Sequence, residues 1–206
     1  MKLIPKTPKI IKLLFPTYVW NIKTSDKNLY LTFDDGPTPE ITDWVLNKLS
    51  EYNAKATFFC LGKNVQNHPE IYNRIITGGH AVGNHTFTHM EGWRTTPEEY
   101  INDVKETSIY IKSKLFRPPY GRITITKSKA LQKLGYKIIM WDVVAIDWST
   151  NTSKKKTAQN VIKNSKQGSI IVFHDSVKAE KNMKYALSQT LDFFSKKNYL
   201  FKEITF

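Results

Sequence analysis

The sequence predicts an α/β protein, a single domain built as a distorted (β/α) barrel of about seven parallel strands. Three observations carry that expectation. Short β-rich apolar runs alternate with helical patterns of about 10–15 residues, the order that makes parallel βαβ units with right-handed crossovers. A chain of 206 residues suits one hydrophobic core, since cores stop growing near ~250–300 residues. Titratable residues stand directly after five of the predicted strands, where parallel barrels place their sites.

The elements follow in order. Residues 28–33 form a strand in which Leu29, Leu31 and Phe33 alternate with Tyr30 and Thr32. Asp34 and Asp35 follow it, and Gly36-Pro37 forces a turn. Residues 39–51 form a helix with Ile41, Val45, Leu46 and Leu49 on one face, and 55–61 a buried strand. A helix over 69–77 stops at Gly78-Gly79, and 81–84 is a short strand followed by His85 and His89. The next helix, 97–114, is capped by Thr95 or Thr96 with Glu98 and Glu99 in its first turn. A strand at 114–116 delivers Arg117. A helix over 127–134 ends at Gly135, and a strand over 136–141 delivers Asp142 and Asp147. A helix at 152–165, a strand at 169–173 ending in His174 and Asp175, a helix at 178–197 and a strand at 199–202 complete the chain.

Composition removes several classes. With 40% hydrophobic residues and 5 Trp, 10 Tyr and 11 Phe, the chain is not disordered. Cys60 is the only cysteine, so an intrachain disulfide and a cysteine-based zinc site are excluded, and its apolar surroundings predict an inert core thiol. No apolar run approaches 18 residues.

The net charge of +13 sits at the chain ends: +5 over residues 1–28, +7 over 151–206 and +1 between them. The Lys154-Lys155-Lys156 run is too short for a nucleic-acid motif, so no nucleic-acid partner is expected. Weak contact with an anionic polymer or a membrane surface is the only partner role left to the basic ends. Residues 1–20 loosely imitate a secretory leader, but Lys12 and Pro16 interrupt the apolar part and no small-x-small site follows. Residues 1–27 are therefore expected to be an extension packing an apolar face on a catalytic domain of residues 28–206. With no clear leader, a cytoplasmic or peripheral monomer is the default.

His85 and His89 lie four apart, which on a helix puts two imidazoles on one face at the separation a single metal ion needs. Adjacent carboxylates at Asp34 and Asp35 repel unless a cation or base is near, and neighbours on a strand point in different directions. One can bind a metal while the other faces a substrate. Asp35, His85 and His89 make a two-histidine, one-carboxylate set that leaves coordination positions open, the pattern of a catalytic metal. Arg117, fixed by Pro118-Pro119, suits holding a carboxylate in a bidentate fork. His174 closes an apolar strand and titrates near neutrality. His68 and His80 lack partners at useful spacing and are assigned to structure or surface.

These motifs together resemble the NodB-like polysaccharide deacetylases, carbohydrate esterase family 4. Thr-Phe-Asp-Asp-Gly at 32–36, His-x-x-x-His at 85–89, Arg-Pro-Pro-Tyr at 117–120, Trp-Asp…Asp-Trp at 141–148 and Val-Phe-His at 172–174 fall in the family's order. The resemblance covers residue 28 to the C-terminus. It departs at Val144, where the family often carries an acid, and at Val172, where leucine is usual.

The resemblance implies a NodB-homology barrel that removes acetyl groups from N-acetylated sugars of peptidoglycan, chitooligosaccharide or exopolysaccharide. It also implies a divalent metal, zinc first, with Co2+, Ni2+ or Mn2+ as alternatives. By matched motif, Asp34 would be the general base and Asp35 a metal ligand with His85 and His89. Arg117 would orient the catalytic carboxylate, His174 would be the general acid, and Asp147 would tune it. Tyr120, Pro119, Trp148 and Val172 would line the substrate pocket, Tyr120 lending its backbone N–H to the oxyanion. The competing readings are hydrolysis of another non-peptide C–N bond on the same scaffold and a non-catalytic glycan- or polyanion-binding domain.

Overall fold

The computed structural model describes residues 4–206. Its strands are β1 (Asn28–Asp34), β2 (Ala56–Cys60), β3 (Ala81–Asn84), β4 (Leu115–Phe116), β5 (Lys137–Ile138), β6 (Val143–Val144), β7 (Ile170–His174) and β8 (Leu200–Phe201). All ladders between them are parallel, in the spatial order β5-β4-β3-β2-β1-β7-β6, with β8 pairing the N-terminal end of β1. Seven strands curl into an incomplete barrel, the architecture that the alternation of strand and helix predicts.

The helices are α1 (Lys9–Leu14), α2 (Ile41–Ser50), α3 (Gly62–Asn67), α4 (Pro69–Thr77), α5 (Pro97–Tyr110), α6 (Ile125–Lys133), α7 (Lys154–Asn164) and α8 (Glu180–Ser195). Local chemistry sets several starts. Thr96 and Glu99 form a reciprocal capping box, and the Thr124 and Ser153 hydroxyls accept from the backbone N–H groups of Lys127 and Lys156.

The two faces of β1 divide the molecule. Leu29, Leu31 and Phe33 join the core beneath α2 and α8, and Phe33 stacks between its register partners Phe58 and Phe173 at centroid distances of 5.0 and 5.9 Å. Tyr30 packs on the other side with Phe59, Ile139 and Ile170. Period-two alternation therefore carries Asp34 inward with Tyr30 and Thr32, which aims it at the barrel's C-terminal mouth.

Two expectations are corrected and a third is narrowed. The helix predicted over 97–114 ends at Tyr110, because Ile111 turns to extended backbone and buries its side chain in the core. The strand predicted over 136–141 shrinks to Lys137–Ile138, because Ile139 bridges to Val19 of the N-terminal segment instead. The apolar face of α1 does not pack on the domain. None of its residues is buried and Leu13 is 74% exposed, while its inward residue Lys12 pairs with buried Asp142. It is Tyr18 and Trp20 that enter the core. Residues 1–3 of the predicted extension lie outside the described residues. Among the described residues, no helix is long and apolar enough to cross a membrane.

Candidate active site

His85 and His89 do not share a helix face. They stand on a loop after β3 in which Thr86 and His89 have φ of 67° and 62°. That backbone is costly for side-chain-bearing residues, so something must hold it. Asn84 does so from one side, its amide oxygen accepting from Thr86 N–H at 2.9 Å and its amide nitrogen donating to Val104 O at 2.9 Å. Asp103 of α5 does so from the other, accepting from the N–H groups of Phe87 (2.6 Å) and Thr88 (3.2 Å) and from the Thr88 hydroxyl (2.8 Å). The stapled loop turns both imidazoles toward β1, with their rings 5.3 Å apart.

Asp35 meets them there. Its Oδ1 lies 3.3 Å from His89 Nε2 and 3.7 Å from His85 Nε2. The Asp35 backbone is also left-handed, at φ 83°. It is pinned by Asn64, which donates to Asp35 O at 2.7 Å, and by Asp175, which accepts from Gly36 N–H at 3.1 Å and from the Thr42 hydroxyl at 2.5 Å. A Cβ at position 36 would lie 2.1 Å from an Asp175 carboxylate oxygen, so only glycine fits.

Asp35 Oδ1 is buried and has no hydrogen-bond partner. The ligand atoms of Asp35, His85 and His89 lie within 4.8 Å of one another. His85 donates from Nδ1 to Arg117 O at 2.8 Å, which leaves the Nε2 lone pair facing Asp35. An orphaned carboxylate oxygen among nitrogen lone pairs is the donor set a divalent cation would complete.

Charge follows burial and neighbours. Burial pushes His85 down to about 4, keeping it neutral. Burial alone would raise the Asp35 carboxyl, but the nearby His89 and the charge of His174 hold it well below the usual carboxylate range. Asp175 is pushed up to about 8 by burial, with the Asp35 charge acting in the same direction.

Asp34 sits beside this triad. It accepts from Arg117 Nη1 at 2.7 Å. Arg117 is fully buried over the Phe59 ring, and its other donors go to Thr32 Oγ1 (2.7 Å), Ile139 O (3.1 Å) and Met140 O (3.0 Å). The predicted bidentate fork is therefore replaced by a single charge-assisted bond, because the barrel wall claims three of the other N–H groups.

His174, register partner of Asp34, closes the opposite side. Its Nδ1 lies 2.8 Å from Asp147 Oδ1, and its backbone N–H donates to Asp147 Oδ2 at 2.8 Å. Burial would lower His174, yet the charge and hydrogen bond of Asp147, helped by Asp35 and Asp34, raise it to about 9. Trp148 meets its ring edge-on at 4.7 Å, and Val144, Ile146 and Val172 form an apolar cluster bordered by Trp141 and Trp148. Tyr120 is 59% exposed, has φ 59°, and places its hydroxyl 3.1 Å from His89 Nδ1.

Comparison with known proteins gives the family. A family model for polysaccharide deacetylase matches residues 21–139. A peptidoglycan-N-acetylglucosamine deacetylase of Bacillus cereus is 33% identical over 203 residues, 94% of this chain and 95% of that protein. The chain belongs to the polysaccharide deacetylase family. A chitooligosaccharide deacetylase of Bradyrhizobium is 35% identical over 156 residues, 72% of this chain and 71% of that one. The crystal structure of the Bc1960 peptidoglycan N-acetylglucosamine deacetylase superposes with a TM-score of 0.88 at 31% identity, covering 96% of this chain and 95% of that one. By family this deacetylase is a hydrolase of carbon–nitrogen bonds in polysaccharides.

The strand ends of the deacetylase bring Asp34, Asp35, His85, His89, Arg117, Asp147 and His174 to one mouth. Pro119 is buried beneath Tyr120 in a 3-10 turn, Pro119–Gly121. Asp142, also predicted to converge, does not. It binds Lys6, Lys12 and the Ser169 hydroxyl, away from the triad, and anchors the N-terminal segment. His80 is a half-buried acceptor for Ala56 N–H at 3.2 Å, and Cys60 is fully buried. Sequence reasoning missed the residues that hold the loops: Thr32, Thr42, Asn84 and Asp103. Asp103 alone left a signal, an acid beside Val104 on the helix face that carries Tyr100 and Thr107.

Proposed function

We propose that the chain hydrolyses the acetamide of an N-acetylglucosamine unit within a glycan of the peptidoglycan or chitooligosaccharide type. The observation that carries this reading is the buried, unpartnered Asp35 Oδ1 facing two imidazole nitrogens, beside a separate carboxylate held by Arg117. Asp35, His85 and His89 would hold a divalent cation, and two nitrogens with one carboxylate oxygen suit zinc before Co2+, Ni2+ or Mn2+. Such a cation supplies Lewis acidity, which polarises an amide carbonyl and acidifies water.

The chain's own residues do the rest. Asp34, with Oδ1 occupied by Arg117, offers its other oxygen to take the proton of the attacking water. The Tyr120 backbone N–H donates to the oxygen that gains charge, and the strained backbone at Tyr120 aims it. His174, kept protonated by Asp147, gives its proton to the amine as the C–N bond breaks. Val172 and Trp148 exclude water around the acetyl methyl.

The test is metal analysis of the purified protein beside acetate release from N-acetylglucosamine oligomers and peptidoglycan. Bound metal and released acetate are expected. Asp34→Asn should lower kcat by about 10²–10⁴ while keeping the metal, and His85→Ala should lose it. Near-full turnover in Asp34→Asn would remove it as the base, and undiminished metal in His85→Ala would remove the ligand set.

A further inference from the structure

The loop from His89 to α5 carries Trp93, whose side chain belongs to none of the hydrophobic clusters and is 62% exposed. The backbone beneath it is nevertheless rigidly held. The buried ammonium of Lys127 donates to Gly92 O at 2.6 Å, Thr95 O at 2.5 Å and Thr95 Oγ1 at 3.1 Å, with no carboxylate in the set. Burying an ammonium is costly, and these oxygens repay it only while the loop keeps this shape. Gly92 bridges to Ile123, and a Cβ at Gly92 would lie 2.4 Å from Arg122 O.

The indole is also backed. The Arg122 guanidinium lies 5.2 Å from its ring centroid, and Glu91 orients that guanidinium through a 2.8 Å bond to Nη1. One face of the ring is thus lined by a cation, and at this exposure the ring keeps a free surface.

The place of this assembly in the fold matters as much. Trp93 is four residues from His89, so their Cα atoms are within about 14 Å. Arg122 is two residues from Tyr120, whose hydroxyl touches His89. Both halves of the platform leave the two segments that meet at the candidate metal ligands. A rigid, presented indole loses little entropy on binding and offers an apolar face to the C–H face of a sugar, while a neighbouring guanidinium donates to ring hydroxyls.

We propose that Trp93, backed by Arg122, is a subsite for a pyranose ring of the glycan strand flanking the unit whose acetamide is cleaved. This rests on the N-deacetylase reading above. The test compares the wild-type protein, Trp93→Ala and Trp93→Phe, all zinc-loaded, for acetate release from N-acetylglucosamine dimer through hexamer. Calorimetric titration of zinc-free protein with the hexamer runs in parallel. The loss of kcat/KM in Trp93→Ala should grow with chain length, reaching roughly tenfold more for the hexamer than for the dimer, mostly in KM, with partial recovery in Trp93→Phe. Hexamer affinity should fall in the same order. An equal loss for dimer and hexamer, or none, overturns the subsite. If the wild type releases no acetate, the deacetylase reading fails. The titration then decides alone: weaker hexamer binding in Trp93→Ala keeps the subsite, and unchanged binding removes it.

Discussion

At the scale of single residues, their neighbours drive His85 and His174 apart. Both lose water, which disfavours an imidazolium. For His85 the Asp34 and Asp35 charges and the Arg117 carbonyl do not offset that loss, and it stays neutral, pushed down to about 4. His174 gains the Asp147 carboxylate and is raised to about 9. The sign of the pH dependence follows. A general acid at His174 is competent below about 9 and is lost as pH rises through that value, which sets the basic limb of the rate profile. Asp147→Asn removes the main opposing charge and leaves burial against the charges of Asp35 and Asp34 only, so the basic limb should move to lower pH. Acetate release measured from pH 6 to 10 in wild type and variant checks this, and a basic limb that stays put would detach Asp147 from His174. At this scale the candidate site is largely legible in the sequence, because side chains able to ligate a metal or exchange a proton are few in type and stand at strand ends. What it does not reveal is partner count. Arg117 looks like a fork for one carboxylate, but its donors are divided among Asp34, Thr32 and two backbone carbonyls that only the fold assembles.

At the scale of elements, the site is a set of strained turns held by residues elsewhere. Asp35, Thr86, His89, Tyr120 and Ile146 all have positive φ, and each stands at or near the mouth. Helix α5 contributes Asp103, which holds two N–H groups and a hydroxyl of the histidine loop. Asp103→Asn keeps the shape but weakens those bonds, and should cost about 1–3 kcal/mol of stability. It should also lower zinc affinity by about 10–100-fold, as loss of an outer support does. Competition with a chromophoric chelator and a thermal melt measure the two effects. Zinc affinity equal to wild type would confine Asp103 to stability. The helices themselves were legible from capping residues and apolar periodicity, with 69–77 and the 81–84 strand matched end to end. Helix α3 and strand β6 were not, since elements of six and two residues are too short to establish a period.

At the scale of the whole molecule, the barrel has a seam. Strands β5 and β6 are its free edges, and the N-terminal segment lies along both. Val19 takes the Ile138 carbonyl and returns its own to Met140, while the Pro5 carbonyl accepts from Val144 and Thr7 donates to Asp142 O. Lys6 and Lys12 then clasp the Asp142 carboxylate. Asp142→Ala should therefore lower stability by about 1–3 kcal/mol, and should raise amide exchange first at residues 5–20. Uniform exchange over the molecule would count against a seam. Basic residues near the start of the chain are visible in the sequence, but their inward destination is not, because Asp142 reads as one more strand-end acid. The seam also has a consequence for the order of assembly. On the ribosome residues 5–20 emerge more than a hundred residues before Ile138–Val144, so they must wait unzipped while the strands between are made. The seam can close only once residues 5–20 and 138–144 are both present.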